Sequence, residues 1–190
     1  GYFKAGDTFP LAIKAVGWES DVDSNFCNNT TTTPSFQLDG ISLSSSLVQP
    51  SGGDSGSLTP SSYNHSAAST ATTTVNPSQS EVGVFNLAAS YNGPYIGMPV
   101  NLTSTMTSPL GRIVPHRFSM MSFDLDPSCD AVSYFEQPAS LSFTIQAQNA
   151  SGKRVLNYRG TFAKATAALV AENNNDGVER SSRLNNNAIC

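Results

Sequence analysis

The chain has 190 residues, 38% of them hydrophobic and only 13% charged, with a formal net charge of −4. That length can bury a core as one large β domain or two small ones, which excludes a peptide or a tail. The low charge and the wealth of Ser, Thr, Asn and Gly are unlike a cytosolic enzyme, and the acidic balance gives no basis for holding a phosphate backbone, so nucleic acid is excluded as a partner.

Period-2 alternation dominates the pattern. Phe9, Leu11, Ile13 and Ala15 alternate with Pro10, Ala12 and Lys14, which predicts a half-buried strand with Lys14 facing solvent. Phe36 and Leu38 start a second, and the apolar parity changes to Ile41 and Leu43 across Gly40, as a bulge at the glycine requires. Residues 50–60 and 62–74 are Gly-, Ser- and Thr-rich and read as loops or weak edges. Val82 and Val84, then Phe85, Leu87, Ala89 and Tyr91, form a further strand with a parity change. Ile96, Met98, Val100 and Leu102 follow, with Pro99 marking a sheet edge. Val114, His116, Phe118 and Met120 share one parity, as do Leu141, Phe143, Ile145 and Ala147, and then Leu156, Tyr158 and Phe162. The Ala-rich segment 162–172 suits a short helix or, slightly better, a strand.

Short strands separated by Ser, Gly, Asn and Pro clusters predict an all-β chain of antiparallel sandwiches. Two features divide it. Residues 1–111 carry two cations against seven anions, whereas 112–190 carry eight against seven, which marks Gly111 as a boundary. At an offset of 132, Tyr2, Phe3, Phe9, Leu11, Ile13 and Ala15 fall on Tyr134, Phe135, Leu141, Phe143, Ile145 and Ala147. The expectation is two tandem immunoglobulin-like antiparallel β-sandwich units: 1–111, with long Gly/Ser/Thr-rich loops, and 112–190, cut short at its C-terminus. No run approaches 18 consecutive apolar residues and no leader pattern opens the chain, so no membrane span is expected and the chain reads as a mature or excised fragment.

Candidate chemistry is sparse. Gly53-Asp54-Ser55-Gly56 resembles part of the nucleophile loop of trypsin-like proteases, but His65 and His116 both follow Ser55, the reverse of that family's order, so the segment reads as a Gly/Ser loop. Asp21, Asp23 and Asn25 have the spacing of the first three oxygens of a calcium loop, yet Phe26 and Thr32 stand where glycine and glutamate belong, and a solvated acidic turn is the competing reading. No zinc-ligand spacing occurs, so no metal or other cofactor is expected. Cys27, Cys129 and Cys190 permit three single-bridge pairings, of which Cys27 with Cys129 is favoured because Cys190 lies at the end of the chain. Asn28, Asn29, Asn64, Asn101 and Asn149 open N-x-S/T sequons of the kind that an Asn- and Thr-rich chain contains by chance. An isopeptide bond needs a buried lysine, and Lys14 alternates outward. Trp18 is read first as core packing; exposed on one face with Tyr91 and Tyr95, it would instead form a platform for sugar rings. A hydrolase would need a carboxylate beside His65 or His116, which the spacing does not predict, and His116 reads as a structural residue. No enzyme is expected.

From Glu81 onward the sequence becomes more specific. Glu81-Val82-Gly83-Val84-Phe85, the stretch from Ala88 to Gly93, and Leu110-Gly111-Arg112-Ile113-Val114-Pro115-His116-Arg117-Phe118 are followed by Cys129, Tyr134, Gln137-Pro138, residues 143–149, Gly152 and Asn157-Tyr158-Arg159-Gly160. This succession resembles the C-terminal region of MshQ-type proteins, encoded with the mannose-sensitive haemagglutinin type IV pilus of Gram-negative bacteria. Ile113 replaces the phenylalanine usual there. The resemblance implies an exported protein of the bacterial cell surface, associated with the outer membrane or pilus, with no catalytic residues to carry over. Its partners would be other domains of the same protein, pilus components, or host and surface glycans. The expected role is a non-catalytic structural or adhesive module; a carbohydrate-binding module and a periplasmic pilus-assembly factor are the alternatives.

Overall fold

Alternating apolar and small polar residues, with few strong helix formers, leave the chain little choice but extended structure. The computed structural model describes residues 2–22, 28–106, 108–127 and 139–167. In chain order its strands are β1 (Phe3–Lys4), β2 (Leu11–Lys14), β3 (Leu38–Gln49), β4 (Leu58–Thr59), β5 (Ser62–His65), β6 (Thr72–Val75), β7 (Ser78–Gln79), β8 (Gly83–Tyr95), β9 (Met98–Thr105), β10 (Leu110–Val114), β11 (Arg117–Asp126) and β12 (Ser140–Gln148). The all-β expectation holds for the described residues. The chain divides into a unit at Gly1–Arg159, which holds every strand among the described residues, and a second at Gly160–Cys190, of which the described part is a 3-10 turn at Gly160–Phe162 and irregular chain to residue 167.

One sheet organises the first unit. Its order is β1-β10-β8-β3-β5, with β9 also on β8. The centre is the antiparallel pair β3–β8, in register from Ser42 opposite Ser90 to Leu47 opposite Phe85, with a shift before Gln49 opposite Val84. On its other side β8 holds β10 at Gly83 to Phe85 and then β9 from Ala88 to Tyr95. β1 adds to β10 in parallel, Phe3 beside Ile113. Gly40 sits at φ +72, and the β3–β5 register shifts between Leu38 and Ile41, so the bulge read from the parity change is present. Gly111 and Arg112, where the charge balance changes, lie inside β10.

Side chains from four strands and from Phe9, just ahead of β2, fill the core: Phe9, Leu38, Ile41, Leu43, Leu58, Tyr63 and Leu87 are buried together. Leu11 and Ile13 of β2 and Val75 of β6 pack onto that cluster. The β2–β6 ribbon thereby covers the sheet, while Lys14 faces outward as its parity predicts. β11 and β12 form a separate two-stranded ribbon. Strand structure stops at Pro115 and His116, so the single parity from Val114 to Met120 spans two strands. The pattern at Leu156, Tyr158 and Phe162 does not make a strand: Leu156 and Asn157 hand their backbone amides to a side chain rather than to a neighbouring strand.

Candidate functional site

Polar residues cluster most densely where the Gly53-Asp54-Ser55-Gly56 loop meets the start of β8 and the segment after β12. Asn157, with no exposed surface, donates from Nδ2 to the carbonyls of Asp54 and Val82, both at 2.8 Å. Its Oδ1 accepts the Asp54 amide at 2.7 Å. Buried Glu81 accepts the amides of Val82 at 3.0 Å and Asn157 at 3.1 Å on Oε1, and that of Leu156 at 3.0 Å on Oε2. Gln79 donates to Ser45 Oγ at 2.8 Å and accepts the Ser80 amide at 2.8 Å. Asn149 reaches the Ser80 carbonyl at 3.1 Å and takes the Lys153 amide at 3.0 Å. These amides and carboxyl oxygens do for irregular backbone what a sheet ladder does for strands.

The glycines of the loop have a packing reason. A Cβ on Gly53 would stand 2.5 Å from Asn157 Oδ1, and one on Gly56 would stand 2.6 Å from Glu81 Cβ. The partial match to a protease loop is therefore a close approach of backbone to buried side chains. Ser55 passes its carbonyl to Gln79 Nε2 at 3.4 Å.

The histidines differ. His65, buried in β5, has Nδ1 3.4 Å from the Tyr63 hydroxyl, an unpartnered Nε2, and Phe36 against its ring at 5.3 Å. Burial pushes its pKa below the ordinary value, with a smaller opposing effect from the Ala71 backbone. His116 does have a carboxylate beside it: Nε2 lies 3.4 Å from Asp7 Oδ1, and Nδ1 is buried without a partner. The 109 positions between Asp7 and His116 leave no local pattern that would pair them.

Trp18 overturns the core-packing expectation. It is 69% exposed, and its indole Nε1 donates to Asp21 Oδ1 at 3.3 Å. The loop carrying it is tied down by Glu19, whose Oε1 accepts the amides of Thr30 and Thr31, each at 2.8 Å. Those bonds, Thr31's first, hold the Glu19 carboxyl below its ordinary range. Tyr95 is half-buried against Phe36, at 5.4 Å between rings, and Tyr91 is half-buried with its hydroxyl on the Pro94 carbonyl at 3.0 Å. Of the three aromatic candidates Trp18 alone offers an open face.

Asp21 of the calcium candidate is exposed; Asp23 and Asn25 lie outside the described residues, as do Cys27, Cys129 and Cys190. Among the described residues no three His, Cys, Asp or Glu side chains are grouped to hold a metal ion. Of the sequons, Asn29 and Asn149 are buried and hydrogen-bonded, Asn64 accepts the Gly40 amide at 3.0 Å, and Asn101 is exposed. No described helix is long and apolar enough to cross a membrane.

Two family models match the chain. Residues 1–76 match the one described as DUF6701, second domain, and residues 81–189 match DUF6701, third domain. No curated protein and no solved structure matches.

Proposed function

The chain belongs to the DUF6701 family, its residues matching the second and third domains, and from that premise we propose that it is a non-catalytic structural module of an exported bacterial surface protein of the MshQ type. One observation carries this reading. Three of the residues that bear the resemblance, Glu81, Gly83 and Asn157, are consumed in holding backbone together: two are buried hydrogen-bonding hubs, and Gly83 lets β8 run so close to β3 that a Cβ there would stand 2.5 Å from the Gln49 carbonyl oxygen. Motif residues spent inside a scaffold serve reach and rigidity rather than turnover. The low charge and the abundance of Ser, Thr and Asn suit an extracellular setting. The finer architecture we read as two immunoglobulin-like units in tandem, 1–111 and 112–190, with location at the outer membrane or pilus.

A carbohydrate-binding role is the second reading, favoured by the exposed indole of Trp18, held by Asp21. A glycan array on the folded chain, run with calcium and again with EDTA, separates the two. The structural reading expects no reproducible sugar class above background. Binding that is lost in Trp18→Ala, while the fold by circular dichroism is kept, overturns it. Surface location is tested by adding protease to intact cells that make the full-length protein; complete protection of this region would rule out surface display.

A further inference from the structure

The β11–β12 ribbon is amphipathic along its whole length. Phe118 stands opposite Ala147, Met120 opposite Ile145, Phe123 opposite Phe143 and Leu125 opposite Leu141. Period 2 alone would send Phe123 and Leu125 to the other side from Phe118 and Met120. A register shift between Met120 and Ser122 adds one residue and brings them back. The extra residue, Met121, turns to the polar side, where its sulfur accepts from Gln148 Nε2 at 3.6 Å. That side holds Ser119 and Arg117, both on Gln148 Oε1 at 2.9 and 3.3 Å, and in register Ser122, Asp124, Asp126, Ser140, Ser142 and Thr144.

Among the described residues the apolar side lies open. Phe118, Met120, Phe123, Leu125 and Ile145 are 42–60% exposed, and Tyr158 lies edge-on to Phe118 at the end nearest the main sheet. A lone two-stranded ribbon is marginally stable in water, so a face this apolar needs cover. Half-exposed side chains of roughly 150–250 Å² each give a face on the order of 600 Å², at the top of what an ordinary monomer leaves bare.

We propose that this face is the contact surface for a second copy of the chain. The face carries no charge, so it offers nothing to a charged partner but is complementary to itself, as a two-fold contact requires. Two copies would bury about 1,200 Å² in total, the lower bound for a specific interface. Face to face, two twisted ribbons form a four-stranded sandwich with sheets about 10 Å apart, the usual solution for two apolar sheet faces. The inference goes beyond the surface-module reading and does not depend on it.

Sedimentation equilibrium of the whole chain, in reducing buffer and from micromolar to near-millimolar concentration, is the test. A concentration-dependent doubling of mass is expected. Phe123→Asp should weaken the dimer at least tenfold. Because that variant can also disturb the ribbon, Ile145→Thr provides a second reading: it keeps a β-branched strand residue yet should weaken association several-fold. Ser142→Lys, on the polar side opposite Asp124, should leave the dimer intact. A chain that stays monomeric throughout overturns the proposal. So does a dimer indifferent to both apolar-face substitutions.

Discussion

The backbone amide of Asn157 donates to Glu81 Oε1 at 3.1 Å across 76 positions of chain. Because the same oxygen takes the Val82 amide and its twin takes the Leu156 amide, one carboxyl group closes three backbone gaps. Glu81→Ala should orphan three N–H groups and cost about 3 kcal/mol in urea unfolding, since a buried donor left unpaired forfeits its desolvation. Glu81→Gln keeps one acceptor but turns an NH2 group toward a donor, so an intermediate loss is expected. Equal losses for both variants would mean that the hydrogen bonds are not what stabilises this segment.

Glycine substitutions should separate steric demand from backbone conformation. Gly83 sits at φ +149 with a would-be Cβ 2.5 Å from the Gln49 carbonyl, whereas Gly52, at φ +66, has nothing within 4 Å. Gly52→Ala should cost about 1 kcal/mol, the penalty for placing a side chain at positive φ. Gly83→Ala must also push β3 and β8 apart at the central pair, and should cost several times as much by the same urea titration. A mild effect at Gly83 would show that the strands separate there at little cost.

Ile96 offers a gain. It is 84% exposed at the tip of the β8–β9 hairpin with φ +50, followed by Gly97 at φ +79, the backbone of a two-residue turn that favours Asn-Gly. A β-branched residue is disfavoured there, so Ile96→Asn should raise stability by about 1 kcal/mol and lift the thermal midpoint. A fall in the midpoint would mean that Ile96 makes contacts worth more than its strain.

Legibility in the sequence divides along a physical line. Strand alternation depends on neighbours two apart, so Leu11 to Lys14, the Gly40 bulge and Leu141 to Ala147 could be read directly. The resemblance picked out Glu81, Gly83 and Asn157 as separate landmarks, but nothing local says that they converge with Asp54. Trp18 misled because it follows an apolar strand, whereas its exposure is set by Glu19 gripping Thr30 and Thr31 more than ten residues away. The protease-like Gly-Asp-Ser-Gly was visible as text, and only the packing of Asn157 and Gln79 against it explains its glycines.

The two matched family domains should fold as one body. β3, within 1–76, pairs with β8, within 81–189, at the centre of the sheet, and β1 extends β10. Cut between residues 76 and 81, each part would expose a long unpaired strand edge. Calorimetry of the whole chain should therefore show a single transition covering both regions, and residues 1–76 alone should lack cooperative unfolding. Two resolved transitions, with 1–76 retaining its own, would show independent domains.

Acid should loosen the sheet at β5 through His65. Its pKa lies below the ordinary 6.5 because the ring is buried, so the folded state holds it neutral while the unfolded chain binds a proton near 6.5. A histidine with a lowered folded pKa contributes its full stability above 6.5. That contribution falls as pH drops below 6.5, because the unfolded chain takes up the proton that the buried ring does not, and is gone once the folded pKa is passed. The thermal midpoint should decline from pH 7 toward pH 5, and His65→Phe, which keeps an aromatic ring against Phe36, should flatten that part of the decline. Glu19, whose lowered pKa acts in the carboxylate range, would add its own loss at lower pH, so the two effects separate on the pH axis. An acid limb between pH 7 and pH 5 that is unchanged in His65→Phe would place the sensitivity elsewhere in the chain.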